Sequence, residues 1–405
     1  MPLLYMGWSG STDVVMVRYG ELFLKSEPVK RQFIQHLQRN IGKALESEGL
    51  SHRFELHRGR ILIHGDEPGK IADIVSRIFG IVDVAVCTLT ESTIQDVSRV
   101  AVEQAAPRLS DGGRFAVRAR RQGVEGITSQ EIGAQVGAAI LDAFPKATVD
   151  LTRPEYEIFV EMREYGSLVY DCPIPAPGGL PWGTQGRALS LLSAGIDSPV
   201  ATWLMMKRGC EMASLHIDGG RFAGGDVLTR ALAHHATLST WCRGFPMELL
   251  VADAEPFYEA LVSRPPARFR CVLCKRFMLR LGSLLVRDRH FAVLVTGDSL
   301  GQVASQTLAN ITTISDAATV PLVRPLIAFD KNETVAIARK IGTFHPEPAD
   351  LGCHAVPRMP ATAAGADEIR EAEERLGMNE LVEAALERIQ VKTALNGQIL
   401  DDQDS

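Results

Sequence analysis

Three groups of residues in this chain have the types and spacing to do chemistry. The first is Ser193-Ala194-Gly195-Ile196-Asp197-Ser198, which follows the apolar run Leu189-Ser190-Leu191-Leu192 and precedes Pro199. A strand that runs through small residues into a helix leaves backbone N–H groups free to meet an anion, and the helix N-terminus adds positive potential. Ser193 and Ser198 can donate hydroxyl hydrogen bonds to phosphate oxygens. An ionised Asp197 cannot donate, and suits a Mg²⁺ ion or an orienting role. Proline fits that first turn because its missing N–H would be unpaired there anyway. The same residues also make an ordinary strand-to-helix turn with a polar cap, and the loop alone does not choose. It lacks the lysine of a GxxxxGK[ST] loop.

The second group is Cys271-Val272-Leu273-Cys274, followed by Lys275-Arg276, with Cys353-His354 far downstream. Seven cysteines is an odd number, and the N-terminus has no basic start followed by a long apolar core. No export signal is therefore read, a cytoplasmic location is expected, and a disulfide scaffold is disfavoured. Thiolates at a helix N-terminus beside Lys275 and Arg276 are expected to be stabilised as anions. Three thiolates suit an iron–sulfur cluster that keeps one iron without a protein ligand. Structural zinc wants four ligands, although His354 could supply one. The plain alternative is a pair of buried helical cysteines. Cys87, Cys172, Cys210 and Cys242 are scattered and read as small core hydrophobes.

The third group is basic. Arg114, Arg118, Arg120 and Arg121 crowd together, and strand alternation would place Arg114, Arg118 and Arg120 on one face. Such a row gives sequence-independent affinity for nucleic-acid phosphates, or is simply a solvated strand face. The net charge of −6 does not exclude it, because eleven acidic residues against four basic ones lie between Ala361 and Ser405.

The elements that must position these groups fall into three stretches. From residue 13 to about 88 the pattern is strand, helix, two short strands, helix, strand, with the first strand running from Asp13 to Leu24; this order is ferredoxin-like. A second α/β stretch holds helices at Ile94–Ala105 and Ser129–Phe144 and strands at Arg114–Arg120, Thr148–Leu151, Tyr156–Glu161 and Ser167–Tyr170. Residues 172–186, dense in Pro and Gly, read as a linker. From Leu189 onward strands and helices alternate at the spacing of a parallel, doubly wound sheet. Ala366–Val391 reads as an amphipathic helical tail. The expected fold class is α/β, and the expected domains are 1–90, 91–171 and 187–405, joined by that linker. No membrane-spanning run is read.

Several segments in register carry a family resemblance. The loop at 193–198 resembles the SGGxDS loop of the PP-loop ATP pyrophosphatases, with Ala194 where that family usually has Gly. VRYGELFLK at 17–25, HRGRILI at 57–63, GGLPWGTQG at 178–186, TGDSLGQVASQTL at 296–308 and RPLIAFDKNETVAIARKIGT at 324–343 resemble tRNA 4-thiouridine synthetase over nearly the whole chain. The resemblance implies a ferredoxin-like domain, a THUMP RNA-binding domain and a PP-loop domain in that order. It implies that ATP adenylates O4 of a tRNA uridine and that sulfur then displaces AMP. By position, Asp197 and Lys331 match the family's adenylation residues, and Cys353 the cysteine used in sulfur transfer. Leu191, Leu192, His216, Ile217, Lys275, Gly297 and Gln306 match nucleotide-contacting positions, beside Ser193, Gly195 and Ser198 of the loop. Cys271, Cys274 and Cys353 match the subset that holds a cluster, taken here as [4Fe–4S].

No rhodanese domain follows in this sequence, so the expected sulfur source is the cluster, a Cys353 persulfide, or a separate donor such as a cysteine desulfurase or inorganic sulfide. ATP, Mg²⁺ and tRNA are the other expected ligands, and a homodimer is expected from the family. The alternatives are a 2-thiouridine or 2-thiocytidine synthetase, whose relatives carry other accessory domains, and a nucleotide-binding RNA module without catalysis. Ala194 and the unusual run His216-Ile217-Asp218-Gly219-Gly220 keep the last one open.

Overall fold

The computed structural model describes residues 12–20, 26–347 and 349–400. Contacts group them into two compact units, 12–20 with 45–178, and 26–44 with 179–400. No described helix is long and apolar enough to cross a membrane.

The first unit is built on one mixed sheet. Its strands are β1 (Thr12–Tyr19), β2 (Arg53–His57), β3 (Arg60–His64), β4 (Ile81–Thr90), β5 (Gly113–Gln122), β6 (Ala147–Val149), β7 (Tyr156–Arg163), β8 (Gly166–Tyr170) and the two-residue β9 (Ile174–Pro175). The order is β2-β3-β1-β4-β8-β7-β5-β6, with β9 beside β4. The antiparallel pairing of Thr88 with Val169 therefore fuses the ferredoxin-like strands and the following α/β strands into a continuous sheet. The described part of the expected Asp13–Leu24 strand is β1, which ends at Tyr19; residues 21–24, and Lys25 with them, lie outside the described residues. Helices α2 (Pro68–Val75), α3 (Ile94–Leu109) and α4 (Ser129–Ala143) complete the unit. Their starts are set locally: Pro68 occupies the first turn of α2, Thr93 caps α3, and Thr128 with Glu131 forms a reciprocal capping box on α4. Helix α1 (Glu27–Glu46) falls mostly with the second unit: Asn40 Nδ2 donates to the Trp182 carbonyl at 3.0 Å.

The second unit holds β10 (Arg187–Leu191), β11 (Glu211–Asp218), β12 (Met247–Asp253), β13 (Val293–Val295), β14 (Leu322–Val323), β15 (Ile389–Leu395) and β16 (Gln398–Ile399) in the order β14-β13-β10-β11-β12-β15-β16. The first five strands are parallel, with helices α5 (Asp197–Lys207), α6 (Val227–Ser239), α7 (Glu255–Ser263), α8 (Arg270–Asp288), α9 (Leu308–Ser315) and α10 (Lys331–Ile341) between or beside them. Strand order reverses at β10, whose neighbours are β11 on one side and β13 on the other. In open parallel sheets that point opens a crevice beyond the strands' carboxyl ends.

Helix α8 shows how the core outweighs local propensity. Leu273, Phe277 and Leu281, spaced four apart, are fully buried, and Phe277 stacks on Phe257 with centroids 3.9 Å apart. Each such side chain contributes roughly 1.5–3 kcal/mol, more than the roughly 1 kcal/mol that Gly282 costs the helix. Gly282 sits where a Cβ would come within 2.9 Å of Leu294.

The tail departs from the helical expectation. Helix α11 (Ala366–Leu376) stops at Gly377, which takes a left-handed φ of 73°, and α12 (Met378–Leu386) follows. Ile389–Val391 is not helical: it begins β15, which pairs antiparallel with β12 and extends the parallel sheet. The edge of β12 offers a full ladder of hydrogen bonds, and Ile389-Gln390-Val391-Lys392-Thr393 alternates as a strand does. Asn396-Gly397, both with positive φ, then turns the chain into β16.

Candidate functional site

The loop after β10 lies at the switch point. Leu192 N–H donates to the Leu215 carbonyl at 2.8 Å, carrying the β10–β11 pairing one residue further before the chain turns. Ser198 Oγ then accepts from Ser193 N–H at 2.8 Å and lies 2.9 Å from Ser193 Oγ, while Gly195 N–H donates to Ser193 Oγ at 3.2 Å. The two serines thus fold the loop onto the first turn of α5. Ala194 is buried and does not have a positive φ. Its methyl group is therefore compatible with a loop that elsewhere carries Gly.

Two histidines brace the loop from behind. His216 Nδ1 lies 2.9 Å from the Leu192 carbonyl and His234 Nδ1 3.3 Å from the Ser193 carbonyl. Burial lowers the pKa of both, that of His234 to about 4, so both are neutral at pH 7. His216 Nε2 and Gln306 Oε1 are buried with no hydrogen-bond partner among the described residues. His216 lines the cavity beside the loop, and a buried polar atom left this way in a cavity wall is where a ligand would be expected to bond.

Lys331, at the start of α10, reaches the loop: its Nζ lies 2.8 and 3.0 Å from the two Asp197 carboxylate oxygens and 3.4 Å from Gln302 Oε1. A second charged group forms beside it. Asp298 accepts from Lys275 Nζ at 2.6 Å, Thr296 Oγ1 at 2.7 Å and Arg324 Nε at 3.3 Å. Burial pushes the Asp298 carboxyl up, but Lys275, Thr296 and Arg324 outweigh it and hold the pKa at about 2. Gly297 abuts the start of α5, where a Cβ would lie 2.8 Å from Ser198 Cα and N. Sequence reasoning named Lys275 and Gly297 but not Asp298 or Arg324, although Asp298 stands inside the TGDSLGQ segment.

A cavity of about 350 Å³ adjoins the loop, lined by Leu191, Leu192, Ser193, Gly195, His216 and Ile217, with Ala194, Phe222, Tyr258 and Cys353 also in its wall. Cys353 is thus brought to the predicted nucleotide residues from more than a hundred positions away. Tyr258, which carried no signal in the sequence, links this wall to the CxxC pair, since its hydroxyl lies 3.3 Å from Cys274 Sγ. Cys271 and Cys353 both lie near enough to act electrostatically on Tyr258 and on Cys274. The expected thiolate stabilisation does not hold for the free side chains. Burial pushes the Cys274 thiol up to about 12 and raises Cys271, and the nearby Lys275 offsets little of it. Arg276 is no help because it is buried against Glu373. Three soft thiols have the donor chemistry of an iron–sulfur cluster, but only Cys353 lines the cavity. Among the described residues, however, no group of three or more His, Cys, Asp or Glu side chains is gathered closely enough to hold a metal ion.

The arginines lie in the first unit on β5, whose unbroken register with β7 puts Arg114, Arg118 and Arg120 on one face and Arg121 on the other. They are not equally available. Arg114 pairs with Glu155 at 3.2 Å and Asp150 at 3.6 Å, and Arg118 with Glu157 at 2.7 Å. The row thus carries local ion pairs, with Arg114 and Arg118 still partly exposed. Arg121 donates to the Val124 carbonyl at 2.6 Å. Arg120 is exposed and has no polar partner among the described residues. With Arg118 it lines a cavity of about 770 Å³ between β5 and α4, whose apolar wall includes Val149, Leu151 and Phe159.

Comparison with known proteins agrees with this layout. Residues 183–378 match the family model described as Thiamine biosynthesis protein (ThiI), residues 14–85 its ferredoxin-like domain, and residues 91–170 the THUMP domain. A protein of Methanobrevibacter smithii named "Probable tRNA sulfurtransferase" is 37% identical over 383 residues, spanning 93% of this chain and 99% of that one. A protein of the same name from Methanothermobacter thermautotrophicus is 38% identical over 376 residues, 91% of this chain and 95% of that one. The crystal structure of a 4-thiouridine synthetase–RNA complex with bound ATP matches with a TM-score of 0.84 at 30% identity, covering 94% of this chain and 99% of that chain.

Proposed function

Because the chain belongs to the ThiI family of tRNA sulfurtransferases, we propose that it uses ATP to convert a uridine of tRNA into 4-thiouridine. The observation that carries this reading is the Lys331–Asp197 pair at the mouth of the serine-braced loop. This pair of a cation and a carboxylate beside the loop supports a role in activating the α-phosphate of ATP.

The chemistry follows from those groups. Uridine O4 attacks the α-phosphorus, and pyrophosphate leaves. Loop N–H groups not used within the loop, with the Ser193 and Ser198 hydroxyls, hold the departing phosphates at the N-terminus of α5. Asp197 would hold Mg²⁺, which would neutralise phosphate charge, and Lys331 offsets the charge that builds at the α-phosphate. A sulfide sulfur then adds to C4, and AMP departs carrying the former O4 oxygen. Leu191, Leu192 and Ile217 contact the nucleotide by backbone or by packing on adenine, alongside Gly195, His216, Lys275, Gly297 and Gln306. Cys353 takes part in sulfur transfer. Cys271, Cys274 and Cys353 would hold a [4Fe–4S] cluster, which supplies an open iron able to bind sulfide.

The 91–171 domain binds tRNA, with Arg120 and Arg118 foremost and Arg114 and Arg121 secondary, while 1–90 and 187–405 supply the ferredoxin-like and PP-loop domains. The donor is inorganic sulfide or a cysteine desulfurase, the working form a homodimer and the location cytoplasmic. Mass spectrometry of nucleosides from tRNA incubated with the protein, ATP, Mg²⁺ and sulfide tests the activity, and 4-thiouridine is expected. Appearance of 2-thiouridine, or of no thiolated base, would overturn it. Uridine labelled with ¹⁸O at O4 should pass the label to AMP. Anaerobic purification with iron analysis and EPR tests the cluster, which a fully active iron-free protein would rule out.

A further inference from the structure

The unusual run His216 to Gly220 leads into residues 221–226, and the structure gives this stretch a task. The loop carrying Cys353 is stitched onto it. Ala223 and Cys353 form an isolated antiparallel bridge, with Gly224 N–H donating to the Gly352 carbonyl at 2.7 Å and His354 N–H to the Phe222 carbonyl at 2.9 Å. Asp350 ties the two strands of this bridge together. Its carboxylate accepts from Gly225 N–H at 3.2 Å and from Gly352 N–H at 3.3 Å, and its own N–H donates to Asp226 at 2.8 Å. The Asp226 N–H returns a bond to the Asp350 carbonyl at 3.2 Å.

The glycines of the segment are spaced for this docking. A Cβ on Gly224 would overlap the Asp350 carbonyl oxygen, a backbone atom that cannot rotate away, and a Cβ on Gly219 would press on the Tyr258 ring at 3.3 Å. The outcome is that Cys353 stands in the wall of the nucleotide cavity, with Tyr258 and its Cys274 partner in the same wall. Cys353 is exposed even so, and an exposed loop without such bonds samples many positions.

We propose that Asp350 is a positioning residue which, with Asp226 and the Gly224-Gly225 backbone, holds the Cys353 thiol in the wall of the nucleotide cavity for sulfur transfer. The proposal rests on the reading of Cys353 as a sulfur-transfer cysteine. Asp350 touches no substrate; it acts through the two backbone N–H groups it binds.

The test uses the full chain as wild type, Asp350→Asn and Gly224→Ala, with Cys353 labelling done on iron-free protein and thiolation measured on protein purified anaerobically. Asp350→Asn is isosteric and keeps one acceptor oxygen, and Gly224→Ala breaks the clasp from the other side. Alkylation of Cys353 by iodoacetamide, followed by peptide mass spectrometry, should be slowed at least about 5-fold by ATP in wild type. Both variants should lose that protection. Both should bind ATP and form AMP on tRNA within about 2-fold of wild type, while 4-thiouridine formed per AMP falls about 10-fold. Unchanged ATP protection and an unchanged 4-thiouridine to AMP ratio in either folded variant would overturn the clasp. Cys353→Ser separates the two ideas: if it still makes 4-thiouridine, the sulfur role of Cys353 fails, and the labelling data alone judge Asp350.

Discussion

Lys331 and Asp197 stand 2.8 Å apart with about half of the lysine side chain exposed, so their attraction in water contributes little to stability. That weakness is useful, since a pair worth at most about 1 kcal/mol is readily exchanged for a phosphate and a cation. Lys331→Ala should therefore leave the unfolding midpoint nearly unchanged and ATP affinity within a few-fold. AMP formation on tRNA should fall by about 10²–10³, the usual loss when one transition-state charge partner is removed. Equal losses in ATP binding and in rate would make Lys331 a ground-state ligand instead. His234 and His235 act differently. Burial lowers both to about 4 from the usual 6.5. Between those values the unfolded chain takes up protons that the folded chain refuses, so stability is full above pH 6.5 and declines as pH falls toward 4. Each histidine accounts for about 3 kcal/mol of that decline. Urea unfolding at pH 7 and pH 5 should show the lower midpoint at pH 5, and a flat profile would contradict the burial argument.

At the scale of elements, the site depends on how closely the end of β13 approaches the start of α5. Gly297 is the contact: an added methyl would meet Ser198 Cα and N at 2.8 Å, and neither backbone atom can swing aside. Gly297→Ala should raise the ATP dissociation constant at least about 10-fold by calorimetry while the far-ultraviolet spectrum is unchanged. Unaltered affinity would mean that the loop can shift without loss. Element types were readable wherever a period was strong, as at 53–57, 60–64 and 129–143, because alternation and capping are local properties. The tail was misread at 389–391 because pairing with β12 is a non-local reward that overrides helical propensity. The Asn396-Gly397 dipeptide was the local signal that could have revealed that hairpin.

At the scale of the molecule, the tail is part of the second unit's fold. Glu373 on α11 accepts from Arg276 at 2.8 Å and from Arg280 at 2.8 Å, both on the helix that begins with the CxxC pair. Burial pushes the Glu373 carboxyl up, but the two arginines outweigh it and hold it below the usual range. Arg276 is almost fully buried, so Glu373→Ala would strand its charge and should destabilise this unit by about 3–5 kcal/mol in urea unfolding. A loss below about 1 kcal/mol would show that water or Asp316 takes over the pairing.

The order of folds was legible in the sequence because it is written in local periodicity, and Asp197 and Lys331 were singled out by a family resemblance carried in short contiguous motifs. Only the tertiary structure decided which groups meet. Lys331 closes on Asp197, Asp298 gathers Lys275 and Arg324, and Tyr258 joins Cys274 to the cavity where Cys353 is held. It also showed that Arg114 and Arg118 are matched by carboxylates and that Arg276 turns inward. Those outcomes depend on chain segments tens to hundreds of residues apart, where burial and charge are settled by the fold rather than by neighbours in sequence.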